Sequence, residues 1–138
     1  MSSWVLDCSM VMGWCLPDEK SPVADRFFQT LPSSIDFVVP ALFWYEVANV
    51  LVIAVRRKRI SSEQASQLQK LVKALPLTTI PSSPQTMTRI VALAEQLVLT
   101  AYDAAYLDLA RHTNSSLASL DSNLLDSARK CMIPVSAP

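Results

Sequence analysis

The amino-acid sequence predicts an α/β domain on a mostly parallel sheet, from three observations. Short apolar runs that stop at an acid or a proline alternate with segments of helical periodicity, the pattern of strands joined by crossover helices. A length of 138 residues suits one domain and leaves too little chain for a second core. Apolar residues make up 51% and charged residues 17%, which fills an interior and excludes a disordered or linker-like chain. One domain over residues 1–138 is therefore expected, without repeats, low-complexity tracts or an internal linker.

Trp4-Val5-Leu6-Asp7 is a short apolar run ending in an acid, and Asp36-Phe37-Val38-Val39-Pro40 is a second, closed by proline. Both read as buried strands. Between them Ser21-Pro22 signals a helix start, followed by Val23, Ala24, Phe27, Phe28 and Leu31 at helical spacing. Leu42 to Arg59 reads as a helix that is apolar nearly all round. Ser61 with Gln64 forms a capping-box signal, and Ala65, Leu68, Leu71, Val72 and Leu75 give the next helix its stripe. Leu77-Thr78-Thr79-Ile80 is a strand candidate. The Pro81-Ser-Ser-Pro84 turn then caps a helix running through Met87, Ile90, Val91 and Ala94. Thr100 caps Ala101 to about His112, Leu117 to Leu120 forms a strand ending at Asp121, and Asn123 to Lys130 forms a last helix. Ile133-Pro134-Val135 is expected to add a terminal strand.

Val38 to Val55 is long and apolar enough to suggest a membrane span. Glu46 stands in its middle, where an acid costs roughly 2.5–3.5 kcal/mol on insertion, and Pro40 breaks its start. A buried core helix carrying one carboxylate is the preferred reading, with no membrane partner. Cys8, Cys15 and Cys131 are odd in number and lack metal or redox spacing, so they are expected to be buried thiols. With no signal-peptide pattern after Met1, a reducing, cytoplasmic location is expected.

The single glycine, Gly13, excludes phosphate-cradling loops, dinucleotide turns and the nucleophile elbow. The single histidine, His112, excludes paired-imidazole zinc sites. A formal net charge of zero gives no bulk attraction for nucleic acid, so any such affinity has to be local. What remains for chemistry is carboxylates.

In open parallel sheets ligands collect at the carboxyl ends of the strands, near the reversal of strand order. Asp7 and Asp121 each end a strand, Asp103 lies in the first turn of the helix capped by Thr100, and Glu46 sits early in the apolar helix after the second strand. Each alone has a plain structural role available. Asp7 and Asp121 suit caps or turns, Asp103 suits a helix N-terminus, and Glu46 suits a paired core position. Were the four to converge, two carboxylates 4 Å apart would repel by ~4 kcal/mol at an effective dielectric of 20. No lysine or arginine lies near any of them in sequence. A divalent cation is the economical counter-charge. All-oxygen ligation selects Mg²⁺ or Mn²⁺, which suits phosphodiester hydrolysis by an activated water.

The stretches Val5-Leu6-Asp7-Cys8-Ser9, Val39-Pro40 through Glu46 to Asn49 and Leu51, Leu99-Thr100-Ala-Tyr-Asp103 through Tyr106 to Ala110, and Ser119-Leu-Asp121-Ser-Asn123-Leu resemble the PIN-domain ribonucleases. They are most similar to the VapC-type toxins of type II toxin–antitoxin modules, over essentially the whole chain in order and spacing. The resemblance implies a three-layer α/β/α fold with about five strands, Mg²⁺- or Mn²⁺-dependent endoribonuclease activity on RNA, and a cognate antitoxin inserting near the acids. It implies that Asp7, Glu46, Asp103 and Asp121 bind the metal and that Ser9 and Ser119 support the acids two residues away. Asn49 and Thr100 would then position the site. Asn123 stands where many relatives carry another acid or an amide. The apolar content, with the resemblance, also implies a homodimer.

Arg56-Arg57-Lys58-Arg59 forms a basic cluster. Arg57 lies eleven residues past Glu46, roughly 16 Å along a helix, a reach suited to a flanking phosphate of RNA. Dipole complementation at the helix end is the competing role. Trp44, Tyr45, Tyr102 and Tyr106 flank the acids and are expected to pack in the core rather than stack on bases. Trp14, near the Pro17–Lys20 loop, is the aromatic more suggestive of substrate contact.

Two other enzyme classes fail on motif. A dehalogenase-like phosphohydrolase needs D-x-D-x-T, where this chain has Asp7-Cys8-Ser9-Met10-Val11, and a receiver domain needs an acidic pair and a late lysine. The non-enzymatic alternative is a catalytically silent PIN-like module that binds RNA or protein.

Overall fold

The computed structural model describes residues 3–136. Met1, Ser2, Ala137 and Pro138, the ends of the expected 1–138 domain, lie outside the described residues. Strands β1 (Ser3–Leu6), β2 (Asp36–Pro40), β3 (Leu77–Ile80) and β4 (Ser116–Ala118) form one parallel sheet in the order β3-β2-β1-β4. The chain winds outward from β1 through β2 to β3, then returns to the other side of β1. The order therefore reverses between β1 and β4, which places a crevice at their carboxyl ends.

Helices α1 (Cys8–Cys15), α2 (Pro22–Thr30), α3 (Ala41–Arg56) and α4 (Ser62–Ala74) cover one face. Helices α5 (Pro84–Leu97), α6 (Ala101–His112) and α7 (Ser122–Lys130) cover the other. The strand pleat sorts side chains between the two layers. Leu6, Phe37, Val39 and Ala118 enter the core beneath α1–α4, whereas Val5 and Leu117 enter the core beneath α5–α7. The result is the three-layer α/β/α architecture.

Cap chemistry sets the helix starts. Ser21 accepts from the Ala24 N–H, and Ser61 and Gln64 exchange both capping-box bonds. Ser83 pairs with Thr86 in the same manner, and Thr100 accepts from the Asp103 N–H at 3.1 Å. On the back of the molecule Arg89 of α5 makes a two-pronged bond to the buried Asp108 of α6, at 2.9 and 3.2 Å.

Several expectations need correction. The expected fifth strand at Ile133–Val135 is reduced to a single parallel bridge between Leu117 and Val135, because Pro134 lacks the N–H a longer ladder needs. Helix α3 stops at Arg56 rather than Arg59, and Lys58 takes a left-handed conformation (φ 58°) in the turn to α4. Leu71 faces solvent and is not part of the α4 stripe. Cys8 and Cys15 are buried as expected, but Cys131 is only half-buried; burial holds the Cys15 thiol up to about 11. Among the described residues no single helix is long and apolar enough to cross a membrane.

Helix α1 has no counterpart in the sequence pattern, since it is apolar nearly all round and presents no stripe. Gly13 on α1 is the contact point of this layer. A Cβ there would lie 2.4 Å from Leu120 Cδ1, 3.3 Å from Ser21 Cβ and 3.4 Å from Ala24 Cβ. Gly13→Val is expected to destabilise the fold by about 1–3 kcal/mol through overpacking. Urea unfolding should show a lower midpoint at unchanged slope; an unchanged midpoint would mean that Leu120 moves aside at no cost.

Candidate active site

The parallel sheet brings the carboxyl ends of its strands to one edge, and two acids arrive there directly. Asp7 follows β1, its N–H still bonded to the Ala118 carbonyl of β4 at 3.0 Å. Asp121 follows β4 and serves as N-cap of α7. Its Oδ1 accepts from the N–H groups of Asn123 (3.0 Å) and Leu124 (3.4 Å). Helix α3 starts immediately after β2, which puts Glu46 in its second turn. The Thr100 cap fixes the first turn of α6 and with it Asp103.

Asp7 is buried, 8% exposed, and its position rests on two serines. Ser9 Oγ and Ser119 Oγ both donate to Asp7 Oδ2, each at 2.7 Å, leaving Oδ1 without a side-chain donor. The same hydroxyls accept from the next loop: Leu120 N–H donates to Ser9 and Asp121 N–H to Ser119, each at 3.0 Å. Ser9 therefore bonds the acid two residues before it. Ser119 accepts from the backbone N–H of Asp121, two residues after it, and in addition donates to the Asp7 carboxylate.

Electrostatics tie the acids together. Burial pushes the Asp7 carboxyl above the usual carboxylate range despite its serines, and the charge of Asp121 adds to the rise. Glu46 is raised by burial and by Asp7 and Asp103, although a bond donated by Tyr106 Oη to its Oε1 pulls the other way. Asp103 is raised by burial and by Asp121 and Asp7. None of the four acids is ion-paired among the described residues. That donor set, all oxygen with an unrelieved repulsion, fits a hard divalent cation. No group of three His, Cys, Asp or Glu side chains among the described residues stands ready to hold a metal ion. The local bonds explain this, since Asp121 is turned toward its helix cap and Glu46 toward Tyr106.

Other expected site residues fall differently. Asn49 is exposed and makes no side-chain hydrogen bond among the described residues, so it positions none of the acids here. Asn123 is exposed and contributes its backbone N–H. Arg59 is not free for RNA, because it makes a two-pronged bond to Asp18 at 2.6 and 2.8 Å with Glu19 beyond at 3.7 Å. Arg56, Arg57 and Lys58 are exposed and unpaired among the described residues. Trp14 packs against Phe28 at 4.7 Å between ring centres, and its loop is pinned to the α3–α4 turn by Arg59. It is half-buried and packs against the core beneath α1–α4.

Tyr106 is the functional contact that sequence reasoning left among the core aromatics. It is buried, and it does pack, yet it also holds Glu46. The available signal was its place three residues after Asp103, on the same face of α6.

The fold is shared with known proteins. The family profile described as PIN domain matches residues 5–130. Ribonuclease VapC3 of Pyrobaculum aerophilum is 30% identical over 123 residues, covering 88% of this chain and 92% of its own. Among solved structures, the protein PAE2754 of Pyrobaculum aerophilum superposes with a TM-score of 0.70 at 21% identity, over 97% of this chain and 83% of that one. A toxin–antitoxin complex from Klebsiella pneumoniae contains a chain with a TM-score of 0.61 at 17% identity, over 88% of each chain.

The raised acids make stability depend on pH with a definite sign. A carboxyl whose folded value exceeds its unfolded one (~4) stabilises fully below the unfolded value, and that stabilisation is lost as pH rises through the folded value. In EDTA, urea midpoints of the wild type should therefore fall as pH rises out of the acid range toward neutrality. Asp7→Asn, which removes the most buried of the four charges, should flatten that fall; parallel slopes would show that Asp7 does not carry it.

Proposed function

The chain belongs to the PIN-domain family, and on that premise we propose that it is a Mg²⁺- or Mn²⁺-dependent endoribonuclease, the toxin of a toxin–antitoxin pair. The supporting observation is the arrival of Asp7, Glu46, Asp103 and Asp121 from separate segments at one sheet edge with no cation beside them. Asp7, Glu46, Asp103 and Asp121 are the residues that would hold the ion. When bound, a divalent ion supplies positive charge at the scissile phosphate and a polarised water to attack it.

The protein's own groups supply position. Ser9 and Ser119 lock one oxygen of Asp7 and leave the other for ligation. Tyr106 holds Glu46 in one orientation, and the Thr100 cap holds the turn that carries Asp103. Asp121 keeps Oδ2 available while Oδ1 caps α7. Arg56, Arg57 and Lys58 offer exposed charge for flanking phosphates at the end of α3, Arg56 lying roughly 15 Å along the helix from Glu46.

An antitoxin partner is supported by the Klebsiella pneumoniae likeness, and ribonuclease activity by the Pyrobaculum aerophilum relative. A homodimer in the cytoplasm completes the proposal.

Purified protein should cut a mixed structured-RNA pool with Mg²⁺ or Mn²⁺ and not with EDTA. Asp7→Asn and Asp103→Asn should each lower the rate on the order of 10²-fold or more. At neutral pH, Mn²⁺ at a hundred times its dissociation constant should stabilise the wild type by ~2.7 kcal/mol and the variants by less. No cleavage and no Mn²⁺ stabilisation would overturn the enzyme reading in favour of a binding module.

A further inference from the structure

A polar cavity of about 430 Å³ lies between α5 and α6, with Arg89, Gln96, Asp108, Arg111 and His112 on its wall. Ala92 and Leu93 give it an apolar floor. None of Asp7, Glu46, Asp103 and Asp121 borders it. Asp108 follows Asp103 by five residues on α6, which turns it roughly 140° around the helix. The cavity is therefore not part of the acidic site.

The ion pair that packs α5 on α6 also fixes a cation in this space. Arg89 uses Nε and Nη2 for the two oxygens of Asp108, at 2.9 and 3.2 Å, which occupies one edge of its fork. A guanidinium carries five N–H donors, so three remain after this pairing. The side chain of Asp108 is 10% exposed and that of Arg89 39%, so the acid is covered and the arginine is not. A planar group held in this way loses little freedom on meeting a second anion.

Two further donors lack partners. Arg111 and His112 belong to the last turn of α6, and among the described residues neither side chain makes a hydrogen bond or an ion pair. Basic residues at such a position commonly bond the last carbonyls of the helix. Here those carbonyls are already taken by the following turn. Leu109 accepts from the Thr113 N–H at 2.9 Å, Ala110 from the Ser115 N–H at 2.8 Å and Arg111 from the Asn114 N–H at 3.3 Å. With Asp108 neutralised by Arg89, the cavity has donors from both helices and no unpaired acid on its wall.

We propose that this cavity binds a phosphate dianion, free or as the monoester of a small molecule, against Arg89, Arg111 and His112. The site is separate from the nuclease reading and does not depend on it. A planar carboxylate is satisfied by one arginine fork, whereas a tetrahedral phosphate has three terminal oxygens for donors arriving from two helices. The volume falls in the range of small-molecule sites, and the floor of Ala92 and Leu93 suits an apolar group attached to the phosphate.

The test titrates four probes into the full chain by calorimetry: inorganic phosphate, adenosine 5′-monophosphate, adenosine, and a short oligoribonucleotide without terminal phosphates. EDTA is present throughout, so that no metal brings phosphate to the acids. The variants are Arg111→Gln, His112→Gln and Arg89→Lys, the last keeping a cation beside Asp108, and each is checked by its melting temperature. Phosphate and the monophosphate should bind saturably and adenosine more weakly. Arg111→Gln and Arg89→Lys should each weaken the two phosphate compounds about 10- to 100-fold, and His112→Gln by a smaller factor. A tighter monophosphate would identify the ligand as a monoester, and equal affinities would identify it as phosphate itself; both support the site. No saturable binding of either compound at about 10 mM would overturn the proposal. Binding that Arg111→Gln leaves unchanged would overturn it as well, and this variant decides should Arg89→Lys melt early. Adenosine bound as tightly as its monophosphate would show that the phosphate is not recognised. Binding of the oligoribonucleotide alone, weakened by Arg111→Gln, would give the cavity to an RNA phosphodiester and overturn the proposal likewise.

Discussion

The fold turns on how a carboxylate is kept inside the protein without a cation. Asp7 sits at the carboxyl end of the central strand, where the backbone of β1 and β4 is already paired, and its burial disfavours charge. Two serine hydroxyls on one oxygen offset part of that cost. Each serine comes from a different strand–loop junction and also accepts an N–H from the loop after β4. The carboxylate thus organises both sides of the crevice, and the loop carrying Asp121 is shaped by the same hydroxyls that hold Asp7. Helix α1 completes the arrangement from below, since Gly13 lets Leu120, between Ser119 and Asp121, sit against it.

The molecule contains an internal control for this reading. Asp108 is as buried as Asp7, yet its two oxygens meet the guanidinium of Arg89 across α5 and α6, and it serves packing. A buried acid that needs only to be stable finds an arginine. Asp7 and Glu46 receive hydroxyl donors instead, which hold orientation while leaving negative charge uncompensated. That distinction separates the paired acid from the proposed site acids better than burial does.

Local rules made much of this legible in the sequence. Asp36–Pro40 and Leu77–Ile80 matched their strands because proline and serine punctuation bounded each apolar run, and the caps at Ser21, Ser61, Ser83 and Thr100 placed four helix starts. The edge that Asp7 and Asp121 reach was legible because parallel topology sends every strand end to one side. What escaped depended on distant partners. Arg59 read as part of a basic run, but its partner Asp18 lies in another loop. Tyr45 and Tyr106 occupy similar apolar helices, and only packing shows that one is exposed and the other buried. Helix α1 lacked a stripe because both its sides are covered, a consequence of tertiary packing.

Leaving these acids unpaired has a cost that the surrounding structure has to bear. Repulsion among Asp7, Glu46, Asp103 and Asp121 works against the folded state at neutral pH, and the remaining interactions compensate: two separate cores, the Arg89–Asp108 clamp and the helix caps. Stored repulsion of this kind is also what gives a cation its affinity, since a ligand stabilises the folded state by the interaction it completes there. A sheet edge with every acid neutralised by arginine would be more stable alone and would bind no metal. The absence of cations around the four acids is thus the source of their mutual repulsion, and on the proposed function it is also what would fit them to hold an ion.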